Sequence, residues 1–170
     1  VQTDTYVVYW NTARGPAKGG IRFSPHVTLA ETGDLAERMV WKTALVGVPF
    51  GGGKSGVAID SRSLTPIART AIIKELVHIL RAELDTGAYI PAPDLGTTPR
   101  DMAVIFGEVH RPEVVTGKPP SVGGLPGREQ ATGRGVAAST RIALERSLRR
   151  SPEGARVAIQ GYGNVGAWAG

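Results

Sequence analysis

The stretch Pro49-Phe50-Gly51-Gly52-Gly53-Lys54-Ser55-Gly56 places three consecutive glycines directly before a lysine. The apolar run Ala44-Leu45-Val46-Gly47-Val48 precedes it, and Val57-Ala58-Ile59 follows it. Because glycine has no Cβ, a glycine run lets the main chain approach a ligand or a neighbouring segment closely. We expect partial desolvation of Lys54 between the apolar segments, which lowers the pKa of its ammonium group and suits proton transfer. A tight turn with a solvated lysine explains the same residues.

Strand and helix signals alternate along the chain. Residues 5–10 are β-branched and aromatic and predict a strand, while Thr28 and Glu31 form a capping-box signature before a helix at residues 29–46. Helical apolar spacing predicts further helices at residues 65–84, 99–108 and 129–148. Short apolar runs predict strands at residues 21–23, 57–60, 88–90 and 156–160. This alternation indicates the α/β fold class.

Glycine and proline mark the predicted loops. Residues 11–20 are expected to form a loop around Gly15-Pro16-Ala17-Lys18-Gly19-Gly20, and residues 111–128 form a long connection. The segment Pro91-Ala92-Pro93-Asp94-Leu95-Gly96-Thr97 is expected to be rigid, because each proline fixes its own φ and restricts the residue before it.

The composition excludes several classes of protein. The 170 residues leave room for one domain and the start of another, and 41% are hydrophobic, enough for a core. With no cysteine there is no disulfide, thiolate metal site or cysteine nucleophile, and the chain suits a reducing cytosol, so we expect a cytoplasmic protein. The net charge of +5 is spread along the chain, which does not favour a nucleic-acid partner. No apolar run approaches the roughly 18 residues of a membrane span. From both of its ends, we expect the chain to be a fragment of a longer protein.

Metal and nucleophile motifs are not found in the sequence. His26, His78 and His110 are scattered without metal-ligand spacing, so we expect no metal site.

Three lysines and one aspartate are candidates for chemistry. Lys18 and Lys54 lie in glycine-rich segments and Lys42 lies near the end of a predicted helix. Each lysine alone is also explained as a surface residue. Three converging ammonium groups would suit a substrate with two carboxylates, since a desolvated carboxylate needs a cationic partner. Asp94 lies in the rigid loop, too early to cap the next helix, where Thr97 or Thr98 fits better, and a carboxylate there is suited to proton transfer.

A dinucleotide-binding pattern occurs at the end of the chain. Gly161-Tyr162-Gly163-Asn164-Val165-Gly166 follows a predicted strand and leads into a predicted helix. In that context the glycines let the backbone approach a pyrophosphate, and the helix N-terminus offers free N–H groups. The residue that separates NAD from NADP is expected some 20 positions further on.

Six motifs in this order resemble the glutamate dehydrogenases, within the superfamily of Glu/Leu/Phe/Val dehydrogenases. The motifs are residues 15–23, Trp41-Lys42, residues 49–56, residues 91–97, Ala131-Thr132-Gly133-Arg134-Gly135-Val136 and residues 161–166. The resemblance implies that residues 1–150 are an N-terminally incomplete substrate-binding and dimerisation domain with a mixed sheet and flanking helices. It implies that residues 151–170 are the first strand and glycine loop of a Rossmann domain.

The resemblance also implies roles for individual residues. Lys54 corresponds to the catalytic lysine, which activates the water and polarises the carbon under attack. Asp94 corresponds to the aspartate that exchanges a proton with the substrate nitrogen. Lys42 is similar to the lysine that binds the α-carboxylate, and Lys18 to the one that binds the side-chain carboxylate. Cofactor contacts are implied for Arg128, Thr132, Gly161, Gly163, Asn164, Val165 and Gly166.

The implied function is an oxidoreductase that converts L-glutamate to 2-oxoglutarate and ammonia with NAD or NADP, commonly as a homohexamer. Lys18 favours glutamate, because branched-chain relatives carry an apolar residue there. A dehydrogenase of leucine, valine or phenylalanine, or a non-catalytic regulatory subunit, remains open as an alternative. One departure is Ser55, which stands where glutamate dehydrogenases usually have glycine and is expected to tighten the lysine loop. The 170-residue piece alone is expected to be inactive.

Overall fold

The computed structural model describes residues 2–170, which divide into one unit that ends at Gly124 and a second that covers Leu125–Gly170. The strands of the first unit are β1 Thr5–Asn11, β2 Ala17–Phe23, β3 Gly51–Val57 and β4 Tyr89–Pro93. They form one four-stranded sheet in the spatial order β1-β3-β2-β4. Strands β3, β2 and β4 are parallel, and β1 is antiparallel to β3 at the edge. The predicted α/β class with a mixed sheet is confirmed.

Helices connect the parallel strands, as parallel pairing requires. The helices of this unit are α1 Leu29–Leu45, α2 Pro66–Ile79, α3 Arg81–Thr86 and α4 Pro99–Val109. The predicted helix at residues 65–84 is divided at Leu80 into α2 and α3. Single turns of 3₁₀ helix lie at Ser61–Ser63, Pro112–Val114 and Pro120–Val122.

Two predicted loops are strands at the centre of the sheet. The Gly-Lys stretch, expected as a turn, forms β3 and is buried along its whole length, and residues 17–20 belong to β2. The predicted loop at residues 91–97 begins only after Pro93, the last residue of β4. Glycine is ordinarily depleted in strands because it loses more entropy on ordering than other residues. Here close packing against neighbouring main chain overrides that preference.

Helix α1 packs directly against the main chain of strand β3. A Cβ built on Gly52 would overlap the carbonyl oxygen of Ala36 and the side chain of Val40, both in α1. Because side chains alternate along a strand, residues 52, 54 and 56 share the side of the sheet that α1 covers. The opposite side packs on α2 and α4 through an apolar core that includes Ile73, Leu76, Met102, Ile105 and Val109.

Caps fix where the helices begin. Thr28 caps α1 and accepts a hydrogen bond from the backbone N–H of Glu31, as predicted. The Glu31 carboxylate, expected to complete a capping box, instead accepts a hydrogen bond from Arg22. At α4 the box is complete, between Thr98 and Asp101.

The second unit contains helices α5 Arg128–Ile142 and α6 Asn164–Ala169, with a π-helical turn at Ala143–Ser147 after α5. Gly133 lets the two helices meet, since a Cβ there would overlap Trp168. The strand predicted at residues 156–160 is not formed, because these residues make no ladder with another strand among those described. The domain boundary predicted near residue 151 stays a prediction.

Within residues 2–170, no helix combines the length and apolar character that crossing a membrane requires.

Replacement of Gly52 by alanine should destabilise the protein, because the new methyl group would push α1 away from β3. Overpacking of this kind costs about 1–3 kcal/mol in the free energy of unfolding. The matched control is Gly107→Ala in α4, where a Cβ meets open space. That change should be neutral or stabilising by up to about 1 kcal/mol. Thermal unfolding of both variants measures the difference, and equal melting temperatures would contradict the close-packing account.

Candidate active site

The centre of the candidate site is an ion pair between Lys54 and Asp94. Lys54 lies in the middle of β3, and its side chain is only 6% exposed. Asp94 follows the last residue of β4, and its Oδ2 lies 2.9 Å from Lys54 Nζ. The two catalytic residues predicted from the sequence are therefore brought into direct contact.

Lys54 and Asp94 meet across strand β2, which lies between the segments that carry them. Strand β2 lies between β3 and β4, and its Gly20 pairs with Ala92 of β4, two residues before Asp94. A Cβ on Gly20 would lie 2.7 Å from the Asp94 Cβ. Since real Cβ atoms do not approach so closely, only glycine at this position leaves the carboxylate room to reach Lys54.

Burial and charge together adjust the pKa of Lys54. Burial is the largest effect and lowers the pKa, because removal from water disfavours the ammonium form. The Asp94 carboxylate opposes that effect, whereas the positive charges of Arg22 and Lys42 add to it. The net pKa lies below the usual value for a lysine, which brings the neutral amine within reach for proton transfer.

Asp94 is held as a carboxylate. Burial by itself raises the pKa of this carboxyl, but the charges and hydrogen bonds of Lys54 and Arg22 lower it by more. The net pKa is below the ordinary aspartate value, so the group is ionised at neutral pH.

The loop that carries Asp94 is tied to the sheet. The Asp94 backbone N–H donates to Thr97 Oγ1 at 2.8 Å, and Thr97 Oγ1 donates to the Ile21 carbonyl at 2.7 Å. Arg69 donates to the Gly96 carbonyl at 2.6 Å and binds the buried carboxylate of Asp101. These bonds give a physical reason for the rigidity expected from the prolines.

Sequence reasoning missed the residue that completes the pair. Arg22 Nε donates to Asp94 Oδ2 at 2.9 Å, and the same guanidinium binds Glu31. The signal was present in the strand period, since residues 18, 20 and 22 of β2 share one side of the sheet. Arg22 itself lay in the predicted strand at residues 21–23, but the loop predicted at residues 11–20 hid the alternation that places it on one side with Lys18 and Gly20.

The other two lysines lie on the same side of the sheet. Lys18 is half-buried in β2, opposite Gly52 of β3 and Ile90 of β4. Lys42 is exposed in the last turn of α1, and its charge acts on Lys54. The charge of Lys42 reaches Lys54, and the convergence of all three lysines and their substrate-binding roles stay predictions.

Ser55 faces the opposite side of β3. Its Oγ lies 2.7 Å from the hydroxyl of the fully buried Tyr89, whose O–H also lies within 3.4 Å of the Gly19 carbonyl. Burial, the largest effect, raises the pKa of Tyr89, so the phenol stays protonated. The Ser55–Tyr89 hydrogen bond therefore links β3 to β4 on the side of the sheet opposite Lys54. Ser55 does not tighten a lysine loop, as the sequence led us to expect, because this stretch is a strand.

The predicted cofactor residues lie in the second unit. Arg128 and Thr132 are exposed at the start of α5, and Asn164 and Val165 open α6, with the Asn164 side-chain amide 3.3 Å from the Glu129 carbonyl. A Cβ on Gly166 would overlap the Gly161 carbonyl, whereas a Cβ on Gly163 meets open space.

This turn requires glycine at Gly166 and leaves the main chain at Gly163 open to a ligand, which fits the pyrophosphate of a dinucleotide. No cluster of acidic and histidine side chains within residues 2–170 could hold a metal ion.

Comparison with known proteins gives one family. The model of the Glu/Leu/Phe/Val dehydrogenase dimerisation domain matches residues 2–111, and that of Glutamate/Leucine/Phenylalanine/Valine dehydrogenase matches residues 123–170. Glutamate dehydrogenase A2 of Halobacterium salinarum is 43% identical over 96% of this chain and 41% of its own length. Glutamate dehydrogenase of Aeropyrum pernix is 42% identical over 94% of this chain and 39% of its own.

A solved structure is also similar. Hetero-hexameric glutamate dehydrogenase from Thermus thermophilus, in its Leu-bound form, superposes with a TM-score of 0.90 at 38% identity. The alignment covers 98% of this chain and 41% of that one. The chain thus spans about two-fifths of the length of the relatives it matches.

Replacement of Asp94 by asparagine should lower the pKa of Lys54 further. The substitution removes the carboxylate that raises this pKa and leaves burial, Arg22 and Lys42, which all lower it. The extent of Lys54 acylation by an amine-selective reagent is measured over a range of pH by peptide mass spectrometry. The midpoint of that curve follows the pKa of Lys54. Exposed Lys74 provides the internal reference for reagent reactivity. A midpoint that stays the same or rises would show that the two groups are not coupled as described.

Proposed function

Because the chain belongs to the Glu/Leu/Phe/Val dehydrogenase family, we propose that the protein containing it is an NAD(P)-dependent glutamate dehydrogenase. The reaction is the reversible conversion of L-glutamate, water and oxidised cofactor to 2-oxoglutarate, ammonia and reduced cofactor. The observation that carries the proposal is the buried Lys54–Asp94 pair, which lies on the side of the sheet that also bears Lys18.

Lys54 and Asp94 divide the proton chemistry. The lowered pKa of Lys54 lets its amine take a proton from the attacking water. In its ammonium form the same group polarises the carbon under attack. Asp94, which is a carboxylate at neutral pH, accepts a proton from the substrate nitrogen and returns it in the reverse direction. A lysine and an aspartate 2.9 Å apart can exchange that proton directly.

The remaining lysines account for the dicarboxylate substrate. Lys42 binds the α-carboxylate and Lys18 the side-chain carboxylate, because each carboxylate that leaves water needs a cationic partner. A lysine at position 18 favours glutamate, because its ammonium group can pair with a second carboxylate, which leucine, valine and phenylalanine lack. Glutamate is therefore the proposed substrate.

The cofactor residues of this chain fit NAD or NADP. Gly161, Gly163 and Gly166 let the main chain approach the pyrophosphate, and Arg128 and Thr132 contact the nicotinamide end. When bound, the nicotinamide accepts the hydride from the substrate carbon, and the protein supplies orientation.

The active protein is proposed to be an oligomer. The similar Thermus thermophilus enzyme is described as a hetero-hexamer, and we propose a hexamer here as well. Because the chain spans about two-fifths of its relatives, we propose that residues 1–170 alone have no activity.

Replacement of Lys54 by alanine should lower the glutamate-dependent reduction of NAD or NADP by at least about a hundredfold, since a group central to proton transfer contributes roughly 10²–10⁴ to the rate. The assay uses the whole protein and follows nicotinamide absorbance with glutamate, leucine, valine and phenylalanine in turn. The matched control is Lys74→Ala, which removes an exposed lysine paired with Glu108 and should keep the full rate.

Three outcomes would count against the proposal. Unchanged activity in Lys54→Ala would refute the assigned mechanism. Turnover of leucine in preference to glutamate would refute the substrate assignment. A whole protein that binds nucleotide but turns over none of the four amino acids would identify a non-catalytic regulatory subunit instead.

A further inference from the structure

One guanidinium group joins two acidic side chains at the edge of the candidate site. Arg22 Nε donates to Asp94 Oδ2 at 2.9 Å, and Arg22 Nη1 donates to Glu31 Oε1. The two acids come from different elements, because Asp94 follows β4 whereas Glu31 lies in the first turn of α1. Arg22 itself is held in β2, and only 20% of its side chain is exposed.

The geometry of arginine makes this arrangement restrictive. A guanidinium is planar and its N–H groups point in fixed directions, so the position of one bonded partner restricts where another can lie. With Nη1 bound to Glu31, the direction of the Nε–H bond is set by α1 as well as by β2. The Glu31 carboxylate is directed to this guanidinium even though its position favoured a capping box at Thr28.

Asp94 needs a partner whose charge does not change. Lys54 Nζ and Arg22 Nε both lie 2.9 Å from the same oxygen, Asp94 Oδ2. In the proposed reaction Lys54 alternates between the neutral amine, which takes a proton from water, and the ammonium form, so the strength of its pairing with Asp94 changes during the reaction. A guanidinium stays protonated at every working pH, so the bond from Arg22 persists through that step.

We propose that Arg22, braced by Glu31, is a positioning residue that holds the Asp94 carboxylate in place beside Lys54 while the substrate reacts. The inference rests on the proposed function, because it assigns a role within that reaction. Arg22 is not assigned any contact with the substrate, and its effect is exerted through Asp94.

Electrostatics support the same role. Burial is the largest influence on the pKa of Lys54 and lowers it, and the Arg22 charge lowers it further. For Asp94, burial raises the pKa, and Arg22 together with Lys54 more than offsets that effect. Removal of the Arg22 charge should therefore raise the pKa of both groups. The charged groups on the side of the sheet that bears the pair are Arg22, Glu31, Lys18 and Lys42, and Tyr89 lies on the opposite side within electrostatic range of Asp94.

The test compares Arg22→Gln, Arg22→Lys, Glu31→Gln and the matched control Arg62→Gln in the whole protein. Arg62 makes a similar arginine–aspartate pair with Asp60, but its side chain is 86% exposed and its described partner is not a residue of the site. For Arg22→Gln, kcat should fall about tenfold to a hundredfold, since small misplacements of a reacting group have effects of that size. The pH profile of kcat/KM for glutamate should move to higher pH.

Two comparisons separate positioning from general stability. Arg22→Lys keeps the charge, so it should restore the pH profile toward that of the unaltered protein while kcat stays low. Glu31→Gln keeps Arg22 but weakens its brace, and should give a smaller loss of kcat. Arg62→Gln should match the unaltered protein in rate and in pH profile.

A second readout does not depend on turnover. In Arg22→Gln, the midpoint of Lys54 acylation with pH should rise, which is opposite to the shift expected for Asp94→Asn. If the unaltered protein does not oxidise glutamate, the proposed function fails, and this midpoint still decides whether Arg22 acts on the pair. An unchanged midpoint, or a loss of rate without any movement of the pH profile, would overturn the positioning role.

Discussion

The first unit depends on bringing a buried ammonium group and a carboxylate together across a strand. Lys54 and Asp94 belong to segments that are not neighbours in the sheet, and the pair forms only because Gly20 in the intervening strand has no side chain. A buried charge without its partner costs about 3–5 kcal/mol. Lys54 in its ammonium form therefore depends on Asp94, Asp94 is compensated by Lys54 and Arg22 together, and the strand between the pair is constrained to glycine.

The same constraint explains why glycine is frequent where a sheet ordinarily carries larger residues. Gly52 lets α1 approach β3 at main-chain distance, so the helix covers the side of the sheet that bears Lys54. Covering that side removes water, and the loss of water lowers the pKa of the lysine. On the opposite side, Ser55 and Tyr89 hold the strands with a buried hydrogen bond. The close packing at Gly52 and the lowered pKa of Lys54 therefore have the same structural cause.

The sequence predicted the features that depend on local signals. Caps located the starts of α1 and α4, and the prolines around Asp94 indicated a rigid loop. Glycine has a low strand propensity, so the conversion of the Gly-Lys stretch into β3 could not be read locally, since it follows from tertiary packing. Arg22 lay in the predicted strand at residues 21–23, but its role appears only when that strand is extended back to Ala17, which places Arg22 on the side that bears Lys18 and Gly20. The pairing of Lys54 with Asp94 followed from family resemblance and not from spacing.

The central claim is that the Lys54–Asp94 pair lies where a dicarboxylate substrate reacts. A crystal structure of the whole protein with 2-oxoglutarate tests it most directly. The account predicts one carboxylate of the ligand against Lys42, the other against Lys18, and the 2-oxo carbon within reach of Lys54 and Asp94. A ligand that binds with neither carboxylate on these lysines, or with its 2-oxo carbon away from the pair, would contradict the account.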